Sequence, residues 1–242
     1  MTTETEWARE ETERSMESVQ ELHKDVVHMG ELVRQAVTRS NQALVQGDQS
    51  AGDEVLAGDD LVDAMELAIA RRSTDLIISG RYLSDEEHRG LVAALRVIAD
   101  LERIADLAEE NALISHEASP PHAAGITRRL GKLTDLALGM VQIGLHAFAH
   151  RHLRDLQQLR EQEDVAEVAQ RLLHAAILCH LKSTPGDLKA GVSLLFASHN
   201  LGRIACHAAN IGEWAIYSAT GNLGRLKSYH PSGFPASLLP LV

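Results

Sequence analysis

Aromatic residues are scarce in this sequence, at 3% of 242 residues, which disfavours a β-sandwich or β-barrel because strands are enriched in these side chains. The two cysteines, Cys179 and Cys206, cannot build a disulfide framework and are expected to be reduced thiols. Basic residues are also in deficit, since 23 Lys and Arg against 34 Asp and Glu give a formal net charge of −11. Sequence-independent nucleic-acid binding depends on Lys and Arg neutralising phosphates, so we do not expect it here.

Long apolar runs are absent as well. The longest nearly apolar stretch, residues 136–149, includes Gln142 and His146, and it is shorter than the roughly 20 residues that a membrane-spanning helix needs. The N-terminal residues are acidic and polar, unlike a secretory signal or an Arg-rich transit peptide. We therefore expect a cytoplasmic protein that reaches the inner face of the membrane only through its partners.

Proline is missing from the first 119 residues, so no proline there interrupts a helix. Pro120 and Pro121 predict a linker in the middle of the chain, and three of the six prolines fall in the last 12 residues. These breaks predict five parts: a polar N-terminal tail (1–13), a first unit (14–118), a linker (119–122), a second unit (123–220) and a C-terminal tail (221–242).

Between these breaks, apolar residues recur every three or four positions, which is the spacing of one face of an α-helix. The first helix carries such a stripe from Met16 to Leu44, and Gly47 follows it as a stop or kink. A third helix is expected to begin near Asp85, where Ser84 and Glu87 have the spacing of a capping box. The other helices are predicted near residues 50–78, 123–150, 152–181 and 185–219. The expected fold class is therefore all-α.

The two halves of the sequence align with each other. A shift of 104 residues places Leu44 on Phe148 and Asp60 on Asp164. In the third helix of each half, a shift of 100 residues places Leu101–Asp106 on Leu201–Cys206. Internal similarity of this kind predicts two tandem three-helix bundles related by pseudo-symmetry.

Carboxylates are concentrated in the first unit. Glu102 and Asp106 are four residues apart and share one helix face. If the preceding helix packs antiparallel, its acidic residues face this pair across a groove, and hard oxygen ligands of this kind suit Mg²⁺, Ca²⁺, Mn²⁺ or iron. The acidic residues of that preceding helix are Asp59, Asp60, Asp63 and Glu66. A solvated acidic surface is the alternative that the spacing leaves open.

The second unit is poorer in carboxylates at the matching positions. Gly202 replaces Glu102 and Cys206 replaces Asp106, while Gln170 replaces the last acid of the preceding helix. We expect the counterpart site to be degenerate. Its candidate ligands are Asp164, Glu167, Cys206 and His207.

Motifs of common enzyme classes are absent from the sequence. It has no Walker A loop, no Gly-x-Gly-x-x-Gly, no Gly-x-Ser-x-Gly and no Glu-x-x-His. His146 and His150 share a helix face but lack the intervening Glu of a zinc-protease motif, so we interpret them as a surface histidine pair. No catalytic residue is assigned, and the chain is expected not to be an enzyme.

Two segments carry a resemblance to a known family. The Leu101–Asp106 stretch of the first unit and the Leu201–Gly221 stretch of the second resemble the PhoU family of phosphate-uptake regulators, and the resemblance extends over residues 14–221. Six residues of the second stretch fall where the family pattern places them: Asn210, Glu213, Trp214, Tyr217, Thr220 and Gly221.

This resemblance implies a cytoplasmic, all-helical regulator that is often a homodimer. Such a protein acts with the ATPase or membrane complex of a phosphate ABC transporter and with a sensor histidine kinase, and it negatively regulates phosphate uptake and starvation signalling. The resemblance also implies a divalent metal or iron at a Glu/Asp-x-x-x-Asp motif, which Glu102 and Asp106 carry here.

The sequence departs from the family pattern at several places. The second motif is lost at Gly202 and Cys206, the lead into the third helix differs over residues 83–89, and Glu110 stands in place of a common Asn. These departures leave open a diverged regulator of another transporter. The carboxylates of the first unit leave open a second alternative, a metal-dependent hydrolase that uses them.

Overall fold

The computed structural model describes residues 2–79, 83–117 and 124–224, and within these ranges the chain is helical and has no strand. The predicted all-α class is confirmed. The six helices are α1 (Thr2–Gln46), α2 (Gln49–Ile78), α3 (Asp85–Glu117), α4 (Ala124–His150), α5 (Leu156–Ser183) and α6 (Leu188–Thr220), with short 3₁₀ turns at Leu153–Asp155 and Pro185–Asp187. None of the described helices combines the length and hydropathy needed to cross a bilayer.

Helix α1 begins at Thr2, so most of the segment predicted as a polar tail is helical. The physical reason lies in its composition, since neither glycine nor proline occurs before Gly30 and Glu and Arg are good helix formers. The predicted linker, residues 119–122, lies outside the described residues, as does the C-terminal tail beyond Gly224.

The turns between helices confirm two local predictions. Gly47 ends α1 with a positive φ of 71°, and the Asp48 side chain then caps α2 by accepting from the Ala51 N–H at 3.1 Å. Before α3, the backbone N–H of Ser84 donates to the Glu87 carboxylate at 2.7 Å, and the Glu87 N–H donates to Ser84 Oγ at 3.2 Å. This reciprocal pair is the predicted capping box.

The two repeats pack with α3 antiparallel to α6. Asn210 Nδ2 donates to Asp100 Oδ1 at 3.0 Å, and Asn200 Nδ2 donates to Glu110 Oε2 at 3.0 Å. Residues 100 and 110 align with residues 200 and 210, so a pseudo-twofold axis exchanges the two residue pairs, and α6 donates in both of them. Ala105 and the matching Ala205, each 3% exposed, lie midway between them.

A single apolar core runs through both repeats. Fully buried side chains such as Met29, Leu101 and Phe148 belong to one cluster with residues from all six helices. Helices α1 and α4 also meet directly, and Thr134 Oγ1 of α4 donates to Asn41 Oδ1 of α1 at 3.0 Å. Because the repeats share this core, surfaces on α2 and α5 are left facing outward.

Candidate functional site

Helices α2 and α3 bring the predicted carboxylates onto one surface. The negative charge of Asp106 acts on Asp59 near the middle of α2, and the charge of Glu66, further along α2, acts on Glu102. This order shows that α2 and α3 pack antiparallel, which is the condition under which the sequence placed these carboxylates opposite one another. We call the group the acidic cluster; it comprises Asp59, Asp60, Asp63 and Glu66 of α2 and Glu102, Asp106 and Glu109 of α3.

Glu109 is a member that the sequence analysis missed. It follows Glu102 and Asp106 at the i+7 and i+3 positions, which places all three on one face of α3. Its carboxylate interacts with Asp59, Asp106 and Asp63. The same helical spacing that revealed Glu102 and Asp106 could have revealed Glu109.

Ionisation is disfavoured in this cluster. Partial burial, and after it the neighbouring carboxylates, raise the pKa of Asp59, Glu102 and Glu109 above the ordinary values of Asp and Glu. At neutral pH the ionised cluster therefore holds negative charges that repel one another. A bound cation would relieve this repulsion.

Arg103 is a counter-ion at the edge of the cluster. Its Nη1 lies 2.8 Å from Asp106 Oδ2 and its Nε lies 3.5 Å from Glu102 Oε2. The guanidinium side chain is 59% exposed, so these ion pairs are weak and easily broken. Arg103 therefore offsets only part of the negative charge and can move away from it.

The donor set of the cluster consists of carboxylate oxygens, which fits a hard cation such as Mg²⁺, Mn²⁺ or Ca²⁺. Within the described residues, no three carboxylates of the cluster place ligand oxygens within 4.8 Å of one another. A cation here would accordingly be held partly through water or after rotation of these half-buried and exposed side chains.

The candidate ligands of the second repeat are not brought together. His207 Nδ1 lies 2.8 Å from Asp100 Oδ1 at the contact between the repeats, while the Cys206 side chain is exposed. The side chain of Gln170 covers Gly202, where an added Cβ would lie 2.3 Å from Gln170 Nε2. Within the described part of the chain, Asp164, Glu167, Cys206 and His207 form no three-ligand group.

A sequence comparison decides the family. The profile of the PhoU domain matches residues 26–114 and again residues 130–215, which is once in each repeat. The chain belongs to the PhoU family.

Members of the PhoU family align over most of the chain. The Rhizobium meliloti protein called phosphate-specific transport system accessory protein PhoU homolog is 29% identical over 85% of this chain and 86% of its own length. The Caulobacter vibrioides protein of the same name is 28% identical, over 85% of this chain and 89% of its own length.

Two solved structures of the PhoU family share the fold. PhoU from Pseudomonas aeruginosa superposes with a TM-score of 0.77 at 23% identity, over 85% of this chain and 98% of that protein. The phosphate transport system regulatory protein PhoU from Streptococcus pneumoniae gives a TM-score of 0.79 at 20% identity, over 87% of this chain and 99% of that protein.

The raised pKa values of the acidic cluster predict a pH-dependent gain from neutralising Glu109. In metal-free buffer at pH 7, we expect Glu109→Gln to increase the free energy of unfolding by a few tenths of a kcal/mol per relieved like-charge pair. The pKa of Glu109 is raised in the folded state, so its ionised form lowers the stability of the wild-type protein. This loss of stability is complete above the folded-state pKa and absent below the unfolded-state pKa. The gain should therefore shrink as the pH falls toward 4.5.

Urea unfolding at several pH values, with a chelator present, measures this difference. Glu161→Gln on the exposed face of α5 is the matched control, and it should show no comparable gain at pH 7. A Glu109→Gln protein that is less stable than wild type at pH 7 would contradict the role given to charge repulsion.

Proposed function

We propose that this chain is a regulatory adaptor of phosphate homeostasis. It couples a phosphate ABC transporter to a sensor histidine kinase, and it restrains phosphate uptake and starvation signalling when phosphate is plentiful. The observation that carries the proposal is the PhoU domain match in both repeats. Relatives named as accessory proteins of the phosphate-specific transport system, which align over 85% of the chain, support it.

An exposed apolar face on the second repeat suits protein partners. Apolar side chains recur on one face of α5 and on one face of the neighbouring α6, and surface rows of this kind are typical of interaction sites. The α5 row is Val165, Val168 and Leu172, and the α6 row is Leu188, Val192 and Phe196, each 40–61% exposed. We assign this face to the transporter ATPase or membrane complex, the kinase, or a second copy in a homodimer.

The acidic cluster on the first repeat is the proposed cation site. Its carboxylates repel one another without a cation, and their oxygens match the preference of a hard divalent metal or iron. Because Arg103 already pairs with Asp106 and Glu102, a cation must displace it. We propose that this exchange changes the surface that α2 and α3 offer to a partner.

A complementation experiment tests the adaptor and its cation together. In a bacterium that lacks its own PhoU-family protein, the wild-type chain should restore repression of a phosphate-starvation reporter at high phosphate. The double variant Glu102→Gln/Asp106→Asn should bind Mn²⁺ at least about 10-fold more weakly and lose most of the repression, because two of its hard ligands become neutral.

The matched control makes the same chemical changes in the second repeat, on α5, which aligns with α2. Asp164→Asn/Glu167→Gln should keep both Mn²⁺ binding and repression, since Gly202, Cys206 and Gln170 stand where the first repeat has the acids that complete its cluster. Co-purification with the transporter ATPase subunit measures the partner directly. A wild-type chain that neither represses the reporter nor retains the ATPase subunit would refute the adaptor role, and phosphatase activity lost in Glu102→Gln/Asp106→Asn would favour the hydrolase.

A further inference from the structure

A second group of potential metal ligands lies at the junction of α4 and α5, on the opposite repeat from the acidic cluster. His146 belongs to the last turns of α4, His152 lies in the connecting turn, and Asp155 ends the 3₁₀ turn that leads into α5. One ligand atom from each lies within 4.8 Å of the other two, and this is the one such group of His, Cys, Asp and Glu within the described ranges.

The distances fit a shared ion better than a direct hydrogen bond. His146 Nδ1 and Asp155 Oδ2 are 3.5 Å apart, longer than the roughly 2.7–2.9 Å of a charge-assisted hydrogen bond. Two ligands of one tetrahedral Zn²⁺, each at about 2.1 Å, lie about 3.4 Å apart. The His152 ligand atom lies within 4.8 Å of these two, and the exposed positions of His146 and His152 leave space for their rings to turn toward a shared ion.

The backbone that carries these side chains is fixed by the core. His146 lies between the buried residues Leu145 and Ala147, and Asp155 immediately precedes Leu156, which is fully buried. Arg151 adopts a positive φ of 53°, which reverses the chain after α4 and returns His152 toward His146. The Arg151 guanidinium in turn pairs with Glu86 of α3, so the first repeat helps to hold the turn.

The connection between α1 and α2 in the first repeat corresponds to the connection between α4 and α5, and it carries none of the three ligands. Arg151 aligns with Gly47, which also has a positive φ, and His152 aligns with Asp48, whose carboxylate caps α2. In the second repeat neither His152 nor Asp155 makes a capping hydrogen bond, although each precedes a helical turn. Asp155 has helical backbone angles because the 3₁₀ turn runs directly into α5, and its carboxylate lies beside His146.

The geometry points to a metal site formed by His146, His152 and Asp155 that takes a borderline divalent ion of the Zn²⁺ class. Two imidazoles and one carboxylate are a donor set typical of zinc sites that keep a fourth position open. The His150 ring is centred 4.6 Å from that of His146, so a further imidazole lies next to the group. The site differs from the acidic cluster in its nitrogen ligands and does not depend on the proposed regulatory function.

Metal titration of the full chain tests the site. In a Cys179→Ser/Cys206→Ser background, which removes the two exposed thiols, calorimetry with Zn²⁺ should give one site per chain, and Co²⁺ should give the visible absorption of a low-coordinate complex. His146→Asn/His152→Asn, and separately Asp155→Asn, should weaken Zn²⁺ binding at least about 100-fold, because even outer-shell changes cost 10–100-fold.

Two controls locate the ion. His28→Asn replaces an exposed histidine of α1 and should leave the Zn²⁺ affinity unchanged, as should Glu102→Gln/Asp106→Asn in the acidic cluster. Circular dichroism checks that each variant keeps its helices. Absence of Zn²⁺ binding in wild type, equal binding in the His146→Asn/His152→Asn protein, or loss of binding only in the acidic-cluster variant would each overturn the assignment.

Discussion

Phe148→Ala is expected to lower the free energy of unfolding by about 3–5 kcal/mol. Phe148 is fully buried near the end of α4, and its ring centroid lies 5.0 Å from that of His23 on α1. Truncation removes the burial of a large apolar side chain and leaves a cavity between the two repeats. Because Phe148 belongs to one continuous cluster of buried side chains, the surroundings have little freedom to collapse into that cavity.

The internal repeat supplies the control for this cavity. Leu44, which is 4% exposed, occupies the aligned position of the first repeat. Phe148→Leu therefore gives α4 the same side chain that α1 buries at the equivalent position. We expect Phe148→Leu to cost only about 1–1.5 kcal/mol. Urea denaturation of both variants measures the difference, and equal losses in Phe148→Ala and Phe148→Leu would show that cavity size is not the cause.

Gly144→Val is expected to lower the free energy of unfolding by about 3 kcal/mol, at the upper end of what overpacking costs. Helix α4 approaches the backbone of α6 at this glycine. A Cβ at Gly144 would lie 3.1 Å from the carbonyl oxygen of Ala208 and 3.1 Å from Ile211 Cγ2. The further methyl groups of Val have no space unless the two helices separate, and both helices are held by the shared core.

Gly131→Val on the same helix separates crowding from helix propensity. An added Cβ at Gly131 meets no heavy atom within 4 Å, so this variant carries the change in propensity without the steric conflict. We expect Gly131→Val to stay within about 0.5 kcal/mol of wild type. Chemical denaturation measures the free energy of unfolding of both variants. If Gly144→Val is as stable as Gly131→Val, the close approach of α4 and α6 is contradicted.

Small residues recur where the helices of each repeat cross. Ser40 of α1 aligns with Gly144 of α4 and is fully buried, and Ala108 of α3 aligns with Ala208 of α6, also fully buried. Each repeat thus uses small side chains at the same crossing, which lets the helices approach closely. The duplication seen in the sequence therefore extends to packing.

Local features of the fold followed from the sequence alone. The periodicity of apolar residues located all six helices, and Ser84 with Glu87 marked the start of α3 because a capping box is a local hydrogen-bond pattern. The placement of Glu102 opposite Glu66 was also predictable, since only six residues separate the end of α2 from the start of α3 and so short a connection favours antiparallel neighbours. Periodicity and connection length depend only on residues that are close together in the chain, so both can be predicted from a single sequence.

Only the tertiary structure decided which partner each face meets. His207 was grouped with Cys206 as a metal ligand, but it contacts Asp100, about a hundred residues earlier, because the repeats pack through α3 and α6. His146 and Asp155 meet because Arg151 adopts a positive φ. This conformation is uncommon for residues other than glycine, so an arginine does not predict it. Spacing fixes which side of a helix carries a residue. The neighbour across that side depends on how two distant helices fit together.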